Sequence, residues 1–319
     1  MKKLLVGLLI VVLGLVVSGC GRFNFSGPEK TTPVSQKIIT IGVMPDVESI
    51  PFLIADKNGY FTKEGVQVKI EHFSSAKDRD SALQSGQLDG VITDILAVVF
   101  ANEGGINLRI CAKNDGNVEL MAGKTSGINT TVDLKGKSIG LSTNTIMEYT
   151  TDKMLVAAGL KPEDVKKIAI PQLPTRLEML QGGKVDAAIL PEPLAGLAIK
   201  NGAQLLASTD AMGNKAGAIA FTAKSLAENP AEIKAVFRAY NDAVAYLGQE
   251  PPASYIDFII QAQGFPADIK DSIKLPNYSK AALPNETVFN DVVKWLKDKA
   301  LIKGSYEYKA LVDELVLGL

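Results

Sequence analysis

Several short polar loops of this sequence carry side chains that could bind a small molecule. The clearest is Ser142-Thr143-Asn144-Thr145, which precedes a predicted helix from Ile146 to Ala158. Hydroxyls and free backbone N–H groups would converge at the N-terminus of that helix, where the helix dipole favours negative charge. The same residue types are also ordinary N-caps. The loop therefore predicts either a site for an anionic group or a simple helix cap.

Carboxylates follow other predicted strands at comparable positions. Asp46, Asp94 and Glu192 could together pair with an ammonium or amidine-like group, although each could instead cap the helix that follows it. Phe52 is considered only as a wall of such a site. The full set of candidate ligand-binding residues is Met44, Asp46, Phe52, Ser74, Ser75, Thr93, Asp94, Ser142, Asn144, Thr145, Tyr149, Gln172 and Glu192.

Other classes of chemistry find little support in the composition. The chain has one histidine, His72, and two cysteines, Cys20 and Cys111, without the spacing of a metal site. We find no phosphate loop, nucleotide fingerprint or Ser-His-Asp pattern, and we expect neither a metal nor a cofactor. A net charge of −1 gives no support for nucleic-acid binding. The roles of His72 and Cys111 stay open, although the apolar run around Cys111 favours a buried, inert thiol.

An internal repeat indicates how these loops are positioned. The segment Leu83–Ile92 recurs 97 positions later as Leu180–Ile189, with Leu, Gln, Gly, Asp and Ile at matching places. Thr40–Val43 matches Ser138–Leu141 at an offset of 98. Each copy has the order strand, helix, strand, helix, strand, which predicts an α/β fold with two parallel-core sheets covered by helices.

Two such lobes place a cleft between them, because ligands in open α/β sheets bind beyond the carboxyl ends of the strands. Extended runs at 118–122 and 218–222 bracket the second copy and suggest two crossovers that form a two-stranded hinge. The expected organisation is lobe 1 at 38–120 plus 219–319 and lobe 2 at 121–218. Apolar residues at helical spacing predict helices at 233–247, 288–296 and 311–315, which are expected to pack on lobe 1.

The first residues predict an exported lipoprotein. Lys2 and Lys3 precede an apolar run from Leu4 to Val17, and Val17-Ser18-Gly19-Cys20 resembles a lipobox. Because the apolar run is shorter than the roughly 20 residues that span a membrane, a signal peptide at 1–20 is favoured over a transmembrane helix. Lipid on Cys20 would anchor the mature chain at the outer face of the cytoplasmic membrane. The polar segment 21–37 is expected to be a flexible tether.

Several further stretches carry a resemblance that extends over nearly the whole mature chain. They are Pro51–Phe61 with Glu64-Gly65-Val66, Val132–Lys137, Ala157–Leu160, and the repeat ending in Pro191-Glu192-Pro193. In these stretches the chain resembles a known family, the substrate-binding proteins of ABC importers for nitrate, sulfonates, taurine and thiamine pyrimidine precursors. The resemblance implies a two-lobed periplasmic-binding-protein fold of type II that closes on a solute and presents it to a permease.

The loops also favour one kind of solute. No Lys or Arg lies directly in them, although Lys77, Arg79 and Arg176 lie close, so a bare anion such as nitrate would meet mainly neutral donors. The acidic loops favour a zwitterion or an amine-bearing heterocycle, such as taurine or an aminopyrimidine. Hydroxyls would hold one end of it and a carboxylate the other.

The favoured function is therefore capture of a small polar solute without chemistry, by a monomer that delivers it to an ABC permease and its ATPase. The main alternative is an enzyme on the same fold, acting in thiamine-pyrimidine or menaquinone biosynthesis. A sensory lipoprotein that binds a ligand only to signal is a third possibility. The predicted export distinguishes the first from the second, since those enzymes act in the cytosol.

Overall fold

The computed structural model describes residues 37–319, so Cys20, the predicted signal peptide and most of the predicted tether lie outside the described residues. Within 37–319, no helix has both the length and the apolar character needed to cross a membrane. The strands are β1 Ile38–Val43, β2 Gln67–His72, β3 Gly90–Asp94, β4 Leu108–Lys113, β5 Val118–Ala122, β6 Ser138–Leu141, β7 Lys166–Ala169, β8 Ala187–Pro191, β9 Gln204–Ser208 and β10 Gly217–Thr222.

Helices alternate with these strands in both copies of the repeat and then dominate the last third of the chain. They are α1 Ile50–Lys57, α2 Tyr60–Lys63, α3 Ala76–Gln84, α4 Ile95–Glu103, α5 Ile146–Ala157, α6 Leu173–Gln181, α7 Leu194–Lys200, α8 Thr209–Met212, α9 Ala223–Glu228, α10 Pro230–Gln249, α11 Ile256–Gln263, α12 Glu286–Asp298 and α13 Tyr308–Leu311.

The strands form two sheets of the same design. The first sheet has the order β2-β1-β3-β10-β4 and the second has the order β7-β6-β8-β5-β9. In the first, β1 is parallel to β2 and β3, whereas β10 is antiparallel to β3 and β4. In the second, β6 is parallel to β7 and β8, and β5 is antiparallel to β8 and β9. The parallel core of each sheet is thus completed by one antiparallel strand.

The chain passes between the sheets twice within the described residues, before β5 and before β10. The runs that the sequence suggested as crossovers are therefore strands of the sheets themselves, and the connections are the short segments 114–117 and 213–216. The predicted lobe boundaries fall inside β5 and β10. As a division into domains, they stay a prediction.

The repeated Asp and Gly residues have the same local role in both sheets. Asp89 Oδ2 accepts a hydrogen bond from the Thr40 backbone N–H at 2.9 Å, and Asp186 Oδ2 accepts one from Ser138 at 2.8 Å. The preceding turns need a left-handed backbone, which Gly86 (φ 76°) adopts without a Cβ penalty. The repeated motif thus joins the end of a helix to the central strand of a sheet.

Helices cover both faces of each sheet. On one face of the first sheet, α1 and α10 pack together, with the Phe52 and Tyr240 rings 5.2 Å apart. On the other face, α4 and α12 bury a second apolar cluster. In the second sheet, α6 and α7 cover one face and α5 contributes to the core on the other. Full burial of each large side chain contributes about 1.5–3 kcal/mol.

Some helix predictions need correction. Leu311, Val312 and Leu315 do not form one helix, because α13 ends at Leu311 and Val312 instead forms a parallel bridge with Ile110. The helix α4 was not predicted, since Ile95 to Phe100 is apolar on every side and shows no helical periodicity. The predicted stripes at 233–247 and 288–296 are confirmed as α10 and α12.

Candidate functional site

A cleft lies where the carboxyl ends of the parallel strands of both sheets meet. It encloses a cavity of about 50 Å³. We call its two sides the first wall and the second wall, after the sheets that supply them. The first wall contains Met44, Asp46, Glu48, Ala76, Arg79, Ile92, Thr93 and Asp94, and the second wall contains Ser142, Thr145, Ile146, Met147, Pro171, Leu173 and Pro191.

The first wall is acidic. Asp46 follows β1 and caps the next turn, with Oδ1 accepting from the N–H groups of Glu48 at 3.0 Å and Ser49 at 3.2 Å. Asp94 ends β3 and caps α4 through the Ala97 N–H at 2.8 Å. Burial raises the pKa of Asp46 to about 7 and that of Asp94 to about 6. Both carboxylates act as helix caps and also line the cleft.

Glu48 adds a third carboxyl group to this wall. Burial raises its pKa well above the usual range, and the nearby Asp46 and Asp94 carboxylates raise it further. Arg79 is the cation of the first wall, but its Nε and Nη2 both donate to Asp80 Oδ1, at 2.9 and 2.8 Å. The carboxyl groups of Asp46, Glu48 and Asp94 therefore lie near a single guanidinium, that of Arg79. This guanidinium already forms an ion pair with Asp80.

Thr93 places a hydroxyl in the same wall. Its Oγ1 is buried and has no hydrogen-bond partner among the described residues. A buried hydroxyl without a partner costs about 1–3 kcal/mol. A hydrogen bond from a group in the cleft would offset that cost.

The second wall presents neutral donors and a helix N-terminus. Thr145 caps α5, since its Oγ1 accepts from the Met147 N–H at 3.2 Å and donates to the Ser142 carbonyl at 3.0 Å. Ser142 lies at the end of β6 and lines the cavity. Behind it, fully buried, Arg176 donates from Nη2 to Ser142 Oγ. This wall suits an electron-rich group, because the positive end of the α5 dipole and the Arg176 guanidinium behind Ser142 both favour negative charge.

Four predicted site residues lie near the cleft without lining its cavity. Ser75 caps α3 through the Asp78 N–H and also donates its hydroxyl to that carboxylate, at 2.6 Å. Gln172, on the opposite side, donates to the same Asp78 at 3.3 Å, so the two sheets are bridged at this point. Ser74 is exposed. Asn144 adopts a left-handed backbone and donates its N–H to Glu148 at 2.7 Å.

Three further predicted residues are buried away from the cavity. Phe52 is fully buried in the core between α1 and α10. Tyr149 is fully buried where α5 meets α12, and its hydroxyl contacts Asp291 at 2.7 Å. Glu192 accepts from the Gly196 N–H at 3.1 Å at the start of α7, and burial raises its pKa to about 7. The structure thus brings together Met44, Asp46, Thr93, Asp94, Ser142 and Thr145 around one cavity.

Glu48, Arg79 and Arg176 were not among the predicted site residues. Both arginines lie one helical turn inside α3 and α6, and side chains of a helix point back toward its N-terminus. Arg79 therefore reaches the Ile92 carbonyl and Arg176 the Ile189 carbonyl, each at 2.9 Å. Their separation of 97 residues, the offset of the repeat, was the available signal.

The remaining reactive side chains lie elsewhere. Within 37–319, no group of three or more His, Cys, Asp and Glu residues could hold a metal ion. Cys111 is buried in β4, and burial raises the pKa of its thiol. His72 ends β2 at the surface. The chemistry of the cleft therefore depends on carboxylates, hydroxyls and arginines.

Known proteins share this architecture. A putative ABC transporter periplasmic binding protein of Brachyspira hyodysenteriae is 24% identical over 215 residues, which are 63% of this chain and 60% of that protein. This chain thus spans less than two thirds of that relative.

Two solved structures show the same fold. The ligand binding component of an ABC-type import system from Staphylococcus aureus, crystallised with zinc bound, has a TM-score of 0.76 at 16% identity, covering 89% of this chain and 99% of its own. The periplasmic aliphatic sulphonate binding protein SsuA of Escherichia coli has a TM-score of 0.73 at 17% identity, covering 88% and 92%.

These likenesses confirm the predicted two-lobed fold of periplasmic binding proteins. The family model described as NMT1/THI5 like matches residues 46–254, which is more than half of the sequence. The chain therefore belongs to the NMT1/THI5-like family.

Proposed function

We propose that this protein is an extracytoplasmic solute-binding protein of an ABC importer, and that its solute carries a cationic or amine group at one end and an anionic or electron-rich group at the other. The observation that carries the proposal is the opposite chemistry of the two walls. Carboxyl groups crowd the first wall, whereas a helix N-terminus and a serine backed by a buried arginine form the second.

The first wall favours a cationic group for an electrostatic reason. Two buried carboxyl groups, of Asp46 and Asp94, and the half-buried one of Glu48 have raised pKa values because desolvation disfavours their charged forms. An ammonium or a protonated ring amine would supply the missing positive charge and hydrogen-bond donors. A solute with only negative charge would be repelled there.

The second wall favours the other end of the same molecule. The positive end of the α5 helix dipole and the hydroxyl of Ser142 can stabilise a sulfonate or ring nitrogen and oxygen atoms. Taurine places an ammonium and a sulfonate two carbons apart, and an aminopyrimidine places an amine beside ring acceptors. Both are compatible with the two walls, and taurine uses the charges of both.

The names of the relatives support delivery to an importer. The Brachyspira protein is named as a putative binding protein of an ABC transporter, and the two solved neighbours are named as import or solute-binding components. By analogy, the partners of this chain are an ABC permease and its ATPase. The monomer expected from the sequence is kept as part of the proposal. Capture by closure of two lobes on the solute, without chemistry, accounts for the cleft.

Anchoring through Cys20 is part of the proposal. The segment Leu4–Val17 followed by Ser18-Gly19-Cys20 has the pattern of a lipoprotein signal. A Cys20→Ser variant should lose incorporation of a labelled fatty acid and leave the membrane fraction, whereas Cys111→Ser should retain both. Equal labelling of wild type and Cys20→Ser would contradict the anchor.

The solute class can be tested with the chain from residue 21 onward, which contains every contact of the described fold. Native mass spectrometry should detect a co-purified solute, and calorimetry should detect one-to-one binding of taurine or of an aminopyrimidine. Tight binding of nitrate with no binding of either compound would overturn the proposed solute.

An enzyme on the same fold is the second candidate. Asp46 and Asp94 have pKa values of about 7 and 6, in the range in which a carboxyl group can exchange protons near neutral pH. Incubation of the protein with its bound solute separates the two functions. Recovery of unreacted solute at one equivalent supports capture, and conversion over many equivalents supports an enzyme.

A further inference from the structure

Arg176 is a buried cation whose hydrogen-bond acceptors are all neutral. Its Nε donates to the Ile170 carbonyl at 2.9 Å, and Nη1 donates to the Ile189 carbonyl at 2.9 Å. Nη2 donates to the Pro171 carbonyl at 3.4 Å and to Ser142 Oγ. Burial alone lowers its pKa to about 10, so it keeps its charge at neutral pH. Within 37–319, no carboxylate forms an ion pair with it.

The first copy of the repeat shows what the second one lacks. Arg79 occupies the equivalent place and donates to the equivalent strand carbonyl, but its guanidinium also binds Asp80. The residue 97 positions after Asp80 is Leu177, which is buried in the apolar core of the second sheet. The carboxylate partner is therefore replaced by a leucine, and the charge of Arg176 is not compensated within its own lobe.

The contact with Ser142 determines which way that hydroxyl can act. A guanidinium only donates hydrogen bonds, so Ser142 Oγ must accept from it, and the hydroxyl hydrogen must point elsewhere. Ser142 lines the cavity, whereas the neighbouring Thr145 hydroxyl is already used by Met147 N–H and by the Ser142 carbonyl. Ser142 is thus the hydroxyl of this wall whose hydrogen remains available to a bound molecule.

We propose that Arg176 is a positioning and specificity-determining residue. It holds Ser142 as a hydrogen-bond donor and places an uncompensated positive charge directly behind it, so the second wall selects an oxyanion such as a sulfonate or carboxylate. This inference rests on the proposed function and adds the residue that decides which end of the solute binds where. A neutral ring acceptor would use the hydroxyl but not the charge.

Two small probe molecules test the two walls independently, and neither test requires the natural solute. Methanesulfonate carries only the oxyanion, and methylammonium carries only the cation. Dissociation constants for both are measured by NMR titration of the chain from residue 21, for wild type, Arg176→Gln, Ser142→Ala and the double variant. Thermal unfolding of each variant checks that it is folded.

Arg176→Gln should weaken methanesulfonate binding about tenfold or more, the loss expected for one charge-assisted hydrogen bond. Ser142→Ala should weaken it similarly, and the double variant should be no weaker than the weaker single variant, because Arg176 acts through Ser142. Methylammonium binding should change less than about twofold. Ser142→Ala leaves the carbonyl contacts of Arg176 in place and is therefore informative even if Arg176→Gln does not fold.

The inference is overturned if wild type binds no methanesulfonate at tens of millimolar, or if Ser142→Ala leaves that binding unchanged. Equal losses for both probes would also overturn it, since they would show a general structural role. A different result would contradict the proposed function. If methanesulfonate binds as expected while no amine-bearing solute binds more tightly than the single-charge probes, the role of Arg176 stands and the proposed solute is wrong.

Discussion

Arg79 and Arg176 make the same contact in different sheets. Each donates from Nη1 to the carbonyl of an equivalent strand residue, Ile92 or Ile189, at 2.9 Å. Arg79 is surrounded by the carboxyl groups of Asp80, Asp46 and Asp94, which raise its pKa although burial acts to lower it. Within 37–319, no carboxylate pairs with Arg176, and burial lowers its pKa. The two copies of the repeat thus differ, since one supplies an acidic wall and the other a wall of neutral donors with a buried cation behind it.

Affinity for an amine-bearing solute should depend on pH through the first wall. The Asp46 and Asp94 carboxyl groups have pKa values of about 7 and 6 in the solute-free cleft, so protons compete with a cation below these values. We expect the dissociation constant of taurine to rise as the pH falls from 8 to 5. Calorimetry in two buffers of different ionisation enthalpy should also show proton release on binding near pH 7.

Asp46→Asn provides the matched variant, because asparagine is as good an N-cap as aspartate. It should weaken taurine binding at pH 8 and flatten the pH dependence above pH 6. Asp298→Asn removes an exposed carboxylate on α12 and should change neither quantity. A pH profile of Asp46→Asn that coincides with that of wild type would show that Asp46 is not the titrating contact.

The same substitution should stabilise the solute-free protein. A carboxyl group whose pKa is raised on folding, here from 3.8 to about 7 by burial, binds protons better in the folded state. Stability therefore falls as the pH rises from about 4 to above 7. Asp46→Asn removes this cost, so its free energy of unfolding should exceed that of wild type at pH 8 and approach it at pH 5. Urea denaturation at the two pH values measures the difference.

A buried ion-pair network ties α5 to α12 and should control acid stability. Lys167 contacts Glu148 at 2.8 Å and also pairs with Asp152, while Lys299 reaches both carboxylates from the end of α12. Burial alone would raise the pKa of Glu148, but hydrogen bonds from the Asn144 N–H, Lys167 and Lys299 lower it to about 2. The contribution of Glu148 to the free energy of unfolding is present above pH 4.5 and is lost as the pH falls toward 2.

Lys167→Met should therefore lower the free energy of unfolding by about 3 kcal/mol at pH 7, because two buried carboxylates lose a partner. The loss should be smaller at pH 3. Lys294→Met is the control, since its pair with Asp298 is exposed and should be worth less than about 1 kcal/mol. Similar losses for the two variants would contradict the buried network.

A substitution at Phe52 tests whether this residue belongs to the hydrophobic core or to the binding cleft. Its ring is fully buried against Tyr240, so Phe52→Leu should lower the free energy of unfolding by about 1–3 kcal/mol. Taurine affinity should stay within about twofold of wild type, since the residue does not line the cavity. A large loss of affinity in a variant of normal stability would instead place Phe52 in the binding wall.

The repeat allowed much of the fold to be predicted, because each copy carries both the helix-ending glycine and the aspartate that receives the N–H of the first strand. It also placed Asp46, Thr93, Asp94, Ser142 and Thr145 at strand ends that converge. The walls' charges could not be predicted in the same way. Glu48 and Arg79 reach the cleft from inside a turn or a helix, and Arg176 lies behind Ser142. The pKa values of all three depend on burial that the sequence does not show.

The loops also did not reveal which polar residues would be buried away from the solute. Tyr149 follows the Ser-Thr loop by one helical turn, yet it packs beside Trp295 of α12, with the rings 5.7 Å apart. Glu192 lies at a strand end, yet its carboxylate binds the Gly196 N–H. A long-range contact with α12 decides the orientation of Tyr149, whereas a local hydrogen bond at the start of α7 decides that of Glu192.

The central claim is that the two walls bind opposite ends of one solute. Calorimetry at pH 8 with taurine, ethanesulfonate and ethylamine tests it most directly, since the latter two each retain one end of taurine on the same carbon frame. The account predicts one-to-one binding of taurine that is at least about 100-fold tighter than that of either fragment. Binding of ethanesulfonate as tightly as taurine would contradict it.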